Sequence, residues 1–291
     1  MHTSEMAMQS YEMACLEVWG GMRAIETRLD VPGIQAWISS RPYQDAVEGG
    51  DLYFVSSCMG GHVARFVLAD VSGHGASASQ MAAKLRRLMR RHVSRLDQSH
   101  FARSLNHDFA AVAEAGRFAT ALLVSYNSPT DDLVVCNAGH PPPLWYRAER
   151  GEWSFLVGSE VGHGAHNLPL GIIEPTEYTQ FAVRLGLGDM VLLYTDALPE
   201  AGVGQNQLLG EEGLRKLVMA QPMQPVEAFG RSVLAAIREH RGGAPADDDE
   251  TLIALYHTAH NAPWVPTRRV AGALANLFGL RKQPAPAEAG V

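Results

Sequence analysis

A chain of 291 residues with 46% hydrophobic content is long enough for one large domain with tails and a sizeable core. Its formal charge of −7 argues against nucleic acid as a main partner, and no apolar run approaches the roughly 20 residues that a membrane span needs. Cys15, Cys58 and Cys136 follow neither disulfide nor metal spacing, and Met1-His2-Thr3-Ser4-Glu5 is no secretory signal, which together predict reduced thiols in a cytoplasmic protein.

Residues 1–23 are polar and rich in methionine and read as an N-terminal extension, with a short helix expected to end near Gly20-Gly21. The turn signal Val31-Pro32-Gly33 separates two alternating stretches, 24–29 and 34–40, which are predicted strands. Glu48-Gly49-Gly50-Asp51 then leads into Leu52-Tyr53-Phe54-Val55, so a glycine-flanked aspartate opens the next strand. After Gly60-Gly61 the chain runs through 62–70, where Phe66-Val67-Leu68-Ala69 ends on a carboxylate. Asp70-Val71-Ser72-Gly73-His74-Gly75 is a glycine-permitted turn able to present a hard oxygen ligand. A helix is predicted over 76–96, with Met81, Leu85, Leu88, Met89 and Leu96 near one face. Lys84, Arg86, Arg87, Arg90, Arg91 and Arg95 occupy much of the rest. Base-stacking aromatics are missing there, which favours a solvated helix face, attractive to an acidic protein partner, over nucleic-acid binding.

A second helix is predicted over 99–115, then strands at 118–126 and 133–137 around the hairpin turn Asn127-Ser128-Pro129-Thr130-Asp131-Asp132. Asn137-Ala138-Gly139-His140-Pro141-Pro142-Pro143 interrupts before short strands at 144–146 and 153–157. The glycine-rich stretch 158–167 carries His163 and His166 at the spacing of a zinc half-site; with no cysteine or further histidine pair nearby it reads as a polar loop. Gly188-Asp189 opens the apolar run Met190-Val191-Leu192-Leu193-Tyr194-Thr195, which again terminates on an aspartate, Asp196. Helices are predicted at 211–219 and 225–240, the second opening at Pro225. Asp247-Asp248-Asp249-Glu250-Thr251 then precedes a strand at 252–256. In the tail, 258–291, the segment 268–282 reads either as a weakly amphipathic helix touching a membrane surface or partner, or as a loosely ordered extension. The alternation and tight turns point to antiparallel sheets rather than repeated βαβ units.

Asp51, Asp70, Asp196 and Asp248 each stand where a predicted strand meets a loop. Taken singly, each could do no more than cap a turn. Carboxylates at strand ends can also converge on one rim of a sheet-rich domain, where they repel strongly unless cations neutralise them. Two divalent ions would relieve that repulsion, lower the pKa of water and hold the oxygens of a phosphate ester.

Six stretches in order resemble the landmarks of the metal-dependent type 2C (PPM) serine/threonine phosphatases, in particular their bacterial SpoIIE-like branch. They are Gly49-Gly50-Asp51-Leu52-Tyr53, Asp70-Val71-Ser72-Gly73-His74-Gly75, Asn137-Ala138-Gly139-His140-Pro141-Pro142, Pro169-Leu170-Gly171, Leu193-Tyr194-Thr195-Asp196 and Asp248-Asp249-Glu250-Thr251. The resemblance covers residues 24–257, the expected phosphatase domain. It implies an α+β fold, a four-layer α/β/β/α sandwich of two antiparallel sheets flanked by helices. It implies two Mn²⁺ or Mg²⁺ ions held by Asp51, Asp70, the Val71 carbonyl, Asp196 and Asp248, with Asp249 supporting Asp248. Hydroxide bridging the ions would attack phosphorus directly, with no phosphoenzyme. His74 either serves the leaving oxygen or a water, or only pins the turn to the helix. His140 reads as structural, and Gly171 as a turn near a flap over the site.

Two residues depart from the family pattern. Ala197 follows Asp196 where the family usually has glycine, and would strain the site if that position needs positive φ. Phe54 stands where relatives typically carry aspartate, and the branch lacks a dedicated arginine on the first strand; Arg41 is the basic residue nearest the first motif. The resemblance implies a bacterial signalling phosphatase acting on phosphoserine or phosphothreonine of a protein such as an anti-sigma-factor antagonist, under a separate regulatory protein. The alternative is a catalytically silent scaffold that binds the phosphoprotein, which the four intact aspartates disfavour.

Overall fold

The computed structural model describes residues 10–12, 18–59, 61–73, 75–114, 116–158, 166–202 and 208–259. In chain order they form β1 (Ser10–Glu12), β2 (Val18–Gly21), β3 (Ile25–Val31), β4 (Ile34–Arg41), β5 (Asp51–Cys58) and β6 (Val63–Val71). Two helices follow, α1 (Ala76–Arg91) and α2 (Gln98–Val112), and then β7 (Ala119–Asn127), β8 (Asp132–Ala138), β9 (Leu144–Arg147) and β10 (Glu152–Phe155). The rest is β11 (Gln180–Arg184), β12 (Met190–Tyr194), α3 (Gly210–Met219), α4 (Val226–His240) and β13 (Glu250–His257). One sheet has the order β1-β3-β4-β13-β12-β9-β10 and the other β11-β8-β7-β6-β5-β2. Every neighbouring pair is antiparallel except β1 with β3 at an edge.

Side-chain alternation along the strands builds the layers. In β6, Phe66 and Leu68 point between the sheets, while Val67, Ala69 and Val71 point at α1 and α2. In β12, Val191 and Leu193 face the inter-sheet core, and Met190, Leu192 and Tyr194 face α3 and α4. Both faces of the central strands are therefore buried, which is why these strands read as continuous apolar runs. The result is the expected four-layer α/β/β/α sandwich.

Two local expectations change. Where a short helix was expected to end near Gly20-Gly21, the described residues Ser10–Glu12 and Val18–Gly21 are strands, and the second pairs with β5 at an edge, in register Gly21 to Tyr53. Unsatisfied edge amides of β5 offer pairing that a short polar helix cannot match. The strand Gln180–Arg184, which pairs with β8, was not expected from the sequence, because it is largely solvent-facing and lacks an apolar run. The segment 268–282 lies outside the described residues. No helix among the described residues is long and apolar enough to cross a membrane.

One end of the sandwich is closed by a polar knot. His257 donates from Nδ1 to the Gly186 carbonyl (2.7 Å), and its Nε2 lies 3.0 Å from the Tyr126 hydroxyl and 3.1 Å from Asp131 Oδ1. The Tyr126 hydroxyl in turn donates to Asp131 (2.9 Å). The other end carries the acidic residues described below.

In the outer layer, Gly230 of α4 sits directly on the fully buried Trp37 ring of β4, where an added Cβ would overlap the indole. Replacing glycine by alanine within a helix normally gains about 1 kcal/mol. Gly230→Ala should instead cost about 1–3 kcal/mol by overpacking, read as a lower midpoint of urea unfolding; a more stable variant would contradict this packing.

Candidate metal centre

Antiparallel register brings the first two aspartates together: Asp51, the first residue of β5, is paired with Asp70 near the end of β6. Alternation aims both at the mouth between the sheets, since Tyr53 and Val55 of β5 and Phe66 and Leu68 of β6 lie in the inter-sheet core. Asp51 is only 2% exposed. Its Oδ2 accepts from the hydroxyls of Thr251 (2.6 Å) and Thr195 (3.0 Å), which reach across from the opposite sheet. Thr251 thereby spends its proton, so the Ser40 hydroxyl, 2.9 Å away, donates to it. The remaining oxygen, Oδ1, is buried with no hydrogen-bond partner.

The charges of the other carboxylates reach the same place. Burial, and then the charges of Asp196, Asp248, Asp249 and Glu200, push Asp70 up to about 8. Burial, Glu200 and Asp248 raise Asp196 to about 6 against its own backbone hydrogen bonds. Asp51 is raised well above the carboxylate range by burial and by Asp70, in spite of the two threonine hydroxyls. The four strand-end aspartates thus feel one another at one rim. Among the described residues no three His, Cys, Asp or Glu side chains close around a single point. A divalent ion's shell draws also on carbonyl and water oxygens.

Asp249 is committed to the backbone. Its Oδ1 accepts from the Tyr43 amide (2.6 Å) and its Oδ2 from the Gly50 amide (2.5 Å). A Cβ at Gly49 would overlap this carboxylate, so only glycine fits there. Asp249 thus sets the Gly49-Gly50 turn that delivers Asp51, while its own amide donates to Asp248 Oδ1 (2.8 Å). A Cβ on Gly50 would come 3.0 Å from the Val71 carbonyl, so glycine also keeps that oxygen clear.

The Asp70 turn is held by the two residues that lead into β7, Arg117 and Phe118. The Ser72 amide donates to the Phe118 carbonyl (3.0 Å), and the Phe118 amide donates to Ser72 Oγ (3.2 Å). Arg117 donates to the Ser72 carbonyl and, at 2.6 Å, to Ser77 Oγ at the start of α1. His74 lies outside the described residues, as does His163; His166 forms an isolated bridge with Glu177. His140 is buried, with Nε2 donating to the Tyr194 carbonyl (3.0 Å) and Nδ1 accepting from Thr120 (2.8 Å). Burial pushes it down to about 3, so it is a neutral bolt between the sheets, two residues before Asp196. Gly171 adopts positive φ in a turn whose amide donates to Asn106.

The departures prove mild. Ala197 is not among the described residues with positive φ, so its methyl causes no strain there. Phe54 is fully buried against the α1–α2 layer and faces away from the acidic rim. Arg41 is exposed at the end of β4, opposite Glu250.

A set of hard oxygen donors, a buried carboxylate oxygen without a partner and three carboxyl groups raised by burial and by neighbouring carboxylates fit divalent Mg²⁺ or Mn²⁺. Ser40, Thr195, Glu200, Thr251, Arg117 and Arg241 were not singled out from sequence. The two threonines stand inside the Leu193–Asp196 and Asp248–Thr251 stretches, which was an available signal. Arg241 and Arg117 carried none, because their roles depend on tertiary approach.

Comparison with known proteins identifies the family of the chain and relatives of its fold. The model of the family Stage II sporulation protein E (SpoIIE) matches residues 60–258. The phosphoserine phosphatase RsbU of Bacillus subtilis is 24% identical over 74% of this chain and 64% of its own length. RsbP of the same organism, also a phosphoserine phosphatase, is 25% identical over 71% of this chain and 48% of its own. The chain therefore spans about half to two thirds of the length of these curated relatives. The solved RsbU and RsbW domains of Rv1364c from Mycobacterium tuberculosis share the fold, with a TM-score of 0.66 and 23% identity over 86% of this chain and 70% of that one.

Asp70 keeps a proton in the native chain up to about pH 8, whereas its ordinary value is 3.8. Between those values the native state binds the extra proton, so stability of the metal-free protein falls as pH rises through the window. Asp70→Asn should therefore stabilise EDTA-treated protein at pH 8 by about 1–2 kcal/mol, and have little effect near pH 4, in guanidinium unfolding.

Proposed function

We propose that this chain, which belongs to the SpoIIE family, is a metal-dependent serine/threonine protein phosphatase that hydrolyses a phosphoserine or phosphothreonine on a bacterial signalling protein. The single observation that carries the reading is the cross-sheet convergence of Asp51, Asp70, Asp196 and Asp248 on one rim. We assign the catalytic unit to residues 24–257, with Val18–Gly21 as its added edge strand.

Asp51 through its unpartnered Oδ1, Asp70, the Val71 carbonyl, Asp196 and Asp248 would hold two Mn²⁺ or Mg²⁺ ions. Bound there, such ions lower the pKa of water toward neutrality and neutralise phosphate oxygens. The chain's own part is orientation. Thr195 and Thr251 fix which oxygen of Asp51 faces the rim, and their hydroxyl bonds favour its ionised form. Asp249 acts through the Gly50 amide as a positioning residue, and Arg117 does so through the Ser72 carbonyl. His140, neutral at working pH, ties the Asp196 strand to the other sheet and takes no part in proton transfer.

The substrate is read as a phosphoprotein because the named relatives are phosphoserine phosphatases. An anti-sigma-factor antagonist or a similar small regulator fits that class. A separate regulatory protein of acidic character would find Arg87, Arg90 and Arg91 exposed on α1, the helix that begins at the metal turn.

Purified protein should hydrolyse a small aryl phosphate with Mn²⁺ present and stop when EDTA is added. Asp70→Asn and Asp196→Asn should each lose nearly all turnover while keeping the wild-type circular dichroism spectrum. Undiminished turnover in EDTA would rule out the metal reading. Tight Mn²⁺ and phosphoprotein binding without hydrolysis would identify a silent scaffold instead.

A further inference from the structure

The β12–β13 ladder ends at the pair Tyr194–Leu252. Asp196 and Asp248 both lie beyond it, in turns, so strand pairing alone does not fix the distance between them. Thr195 extends the pairing by one step: its amide donates to the Thr251 carbonyl (3.1 Å), and the Thr251 amide donates to its hydroxyl (3.0 Å). Past that point a third element spans the two segments.

Arg241 caps the end of α4, its own amide donating to the Ile237 carbonyl (3.0 Å). One guanidinium nitrogen, Nη1, donates to Glu250 Oε2 (2.6 Å), and the other, Nη2, donates to the Ala197 carbonyl (2.6 Å). The Arg241 and Glu250 side chains are 7% and 10% exposed. Alternation along β13 explains the arrangement. Thr251 turns its hydroxyl to Asp51 at the mouth, so its neighbour Glu250 points the other way, into the layer of α3 and α4. Gly242 and Gly243, both at positive φ, then turn the chain off α4 into the loop that returns through Asp248. One planar fork thus grips the residue after Asp196 and the residue two beyond Asp248. Its charge is matched by Glu250, so it leaves the acidic rim unneutralised.

We infer that Arg241 is a positioning residue that sets the separation of Asp196 and Asp248 for metal binding, by tethering Ala197 to Glu250. The inference rests on the phosphatase reading and names the element that holds one half of its metal centre. A plain structural pin between helix and sheet would have the same contacts but a different response to repair. A buried ion pair can be replaced by apolar side chains with stability kept, whereas the tether to the Ala197 carbonyl is then lost. Lysine in place of arginine keeps the charge opposite Glu250, yet a single ammonium lacks the fork that reaches both acceptors.

The test measures Mn²⁺ affinity directly, from the electron paramagnetic resonance of free Mn²⁺, alongside thermal unfolding of the metal-free proteins. Arg241→Lys and the double variant Arg241→Met with Glu250→Met should each bind Mn²⁺ about 10- to 100-fold more weakly than wild type. The double variant should melt near the wild-type temperature. If it fails to fold, Arg241→Lys decides alone. Wild-type Mn²⁺ affinity in Arg241→Lys, or in a folded double variant, overturns the inference and leaves the phosphatase reading intact. Wild-type protein that binds no Mn²⁺ overturns both.

Discussion

Repulsion among carboxylates held at the mouth between two sheets is the constraint on which the rest of this structure turns. Among the described residues, Asp51, Asp70, Asp196 and Asp248 form no ion pair with any Lys, Arg or His. The groups that orient their segments are hydroxyls, backbone amides, the Asp249 carboxylate, a neutral imidazole and two arginines, Arg241 matched by a glutamate and Arg117 bound to the Ser72 carbonyl and Ser77. None of them forms an ion pair with a rim aspartate. The field at the rim is therefore kept for whatever cation arrives, at a cost in stability that only a bound cation returns.

That cost is affordable because three apolar layers lie behind the rim. Strands with both faces buried connect the inter-sheet core to the helical layers, and side chains such as Trp37, Phe54 and Phe66 are fully enclosed. A packed sandwich deforms little, so the strand ends cannot drift apart to relieve the repulsion. Register does the rest: with Asp51 opposite Asp70, a slip of one residue in β5 would turn Asp51 away from the mouth and Leu52 into it.

Much of this was legible in the sequence. Apolar runs ending on Asp70 and Asp196, with glycine near the turns, marked which carboxylates stand at strand ends, because local patterning and turn chemistry fix those features. The antiparallel pairing and the helices α1 to α4 followed from periodicity and turn signals, and the four-layer sandwich from family likeness alone. The edge strand Val18–Gly21 and the strand Gln180–Arg184 were not legible, since an edge strand is defined by the neighbour it pairs with. The same limit hid the Ser40–Thr251–Asp51 chain and the reach of Arg241, whose partners are distant in sequence. At Ala197 the sequence left a condition open, strain only if the position needs positive φ; the turn closes with ordinary backbone and puts the carbonyl to use.

The two ends of the sandwich are built on unlike principles. Around His257, Tyr126 and Asp131, attraction draws β13, β7 and the β7–β8 turn together, and the hydroxyl of Tyr126 even claims the space that a side chain on Gly33 would need. At the acidic end the sheets are tied by neutral donors, the Thr195 and Thr251 hydroxyls on Asp51 and the His140 imidazole on the Tyr194 carbonyl, which hold the carboxylates close without answering their charge. The seam along the spine of the molecule accordingly closes on itself, while the one along its fore-edge leaves a negative field open to whatever enters.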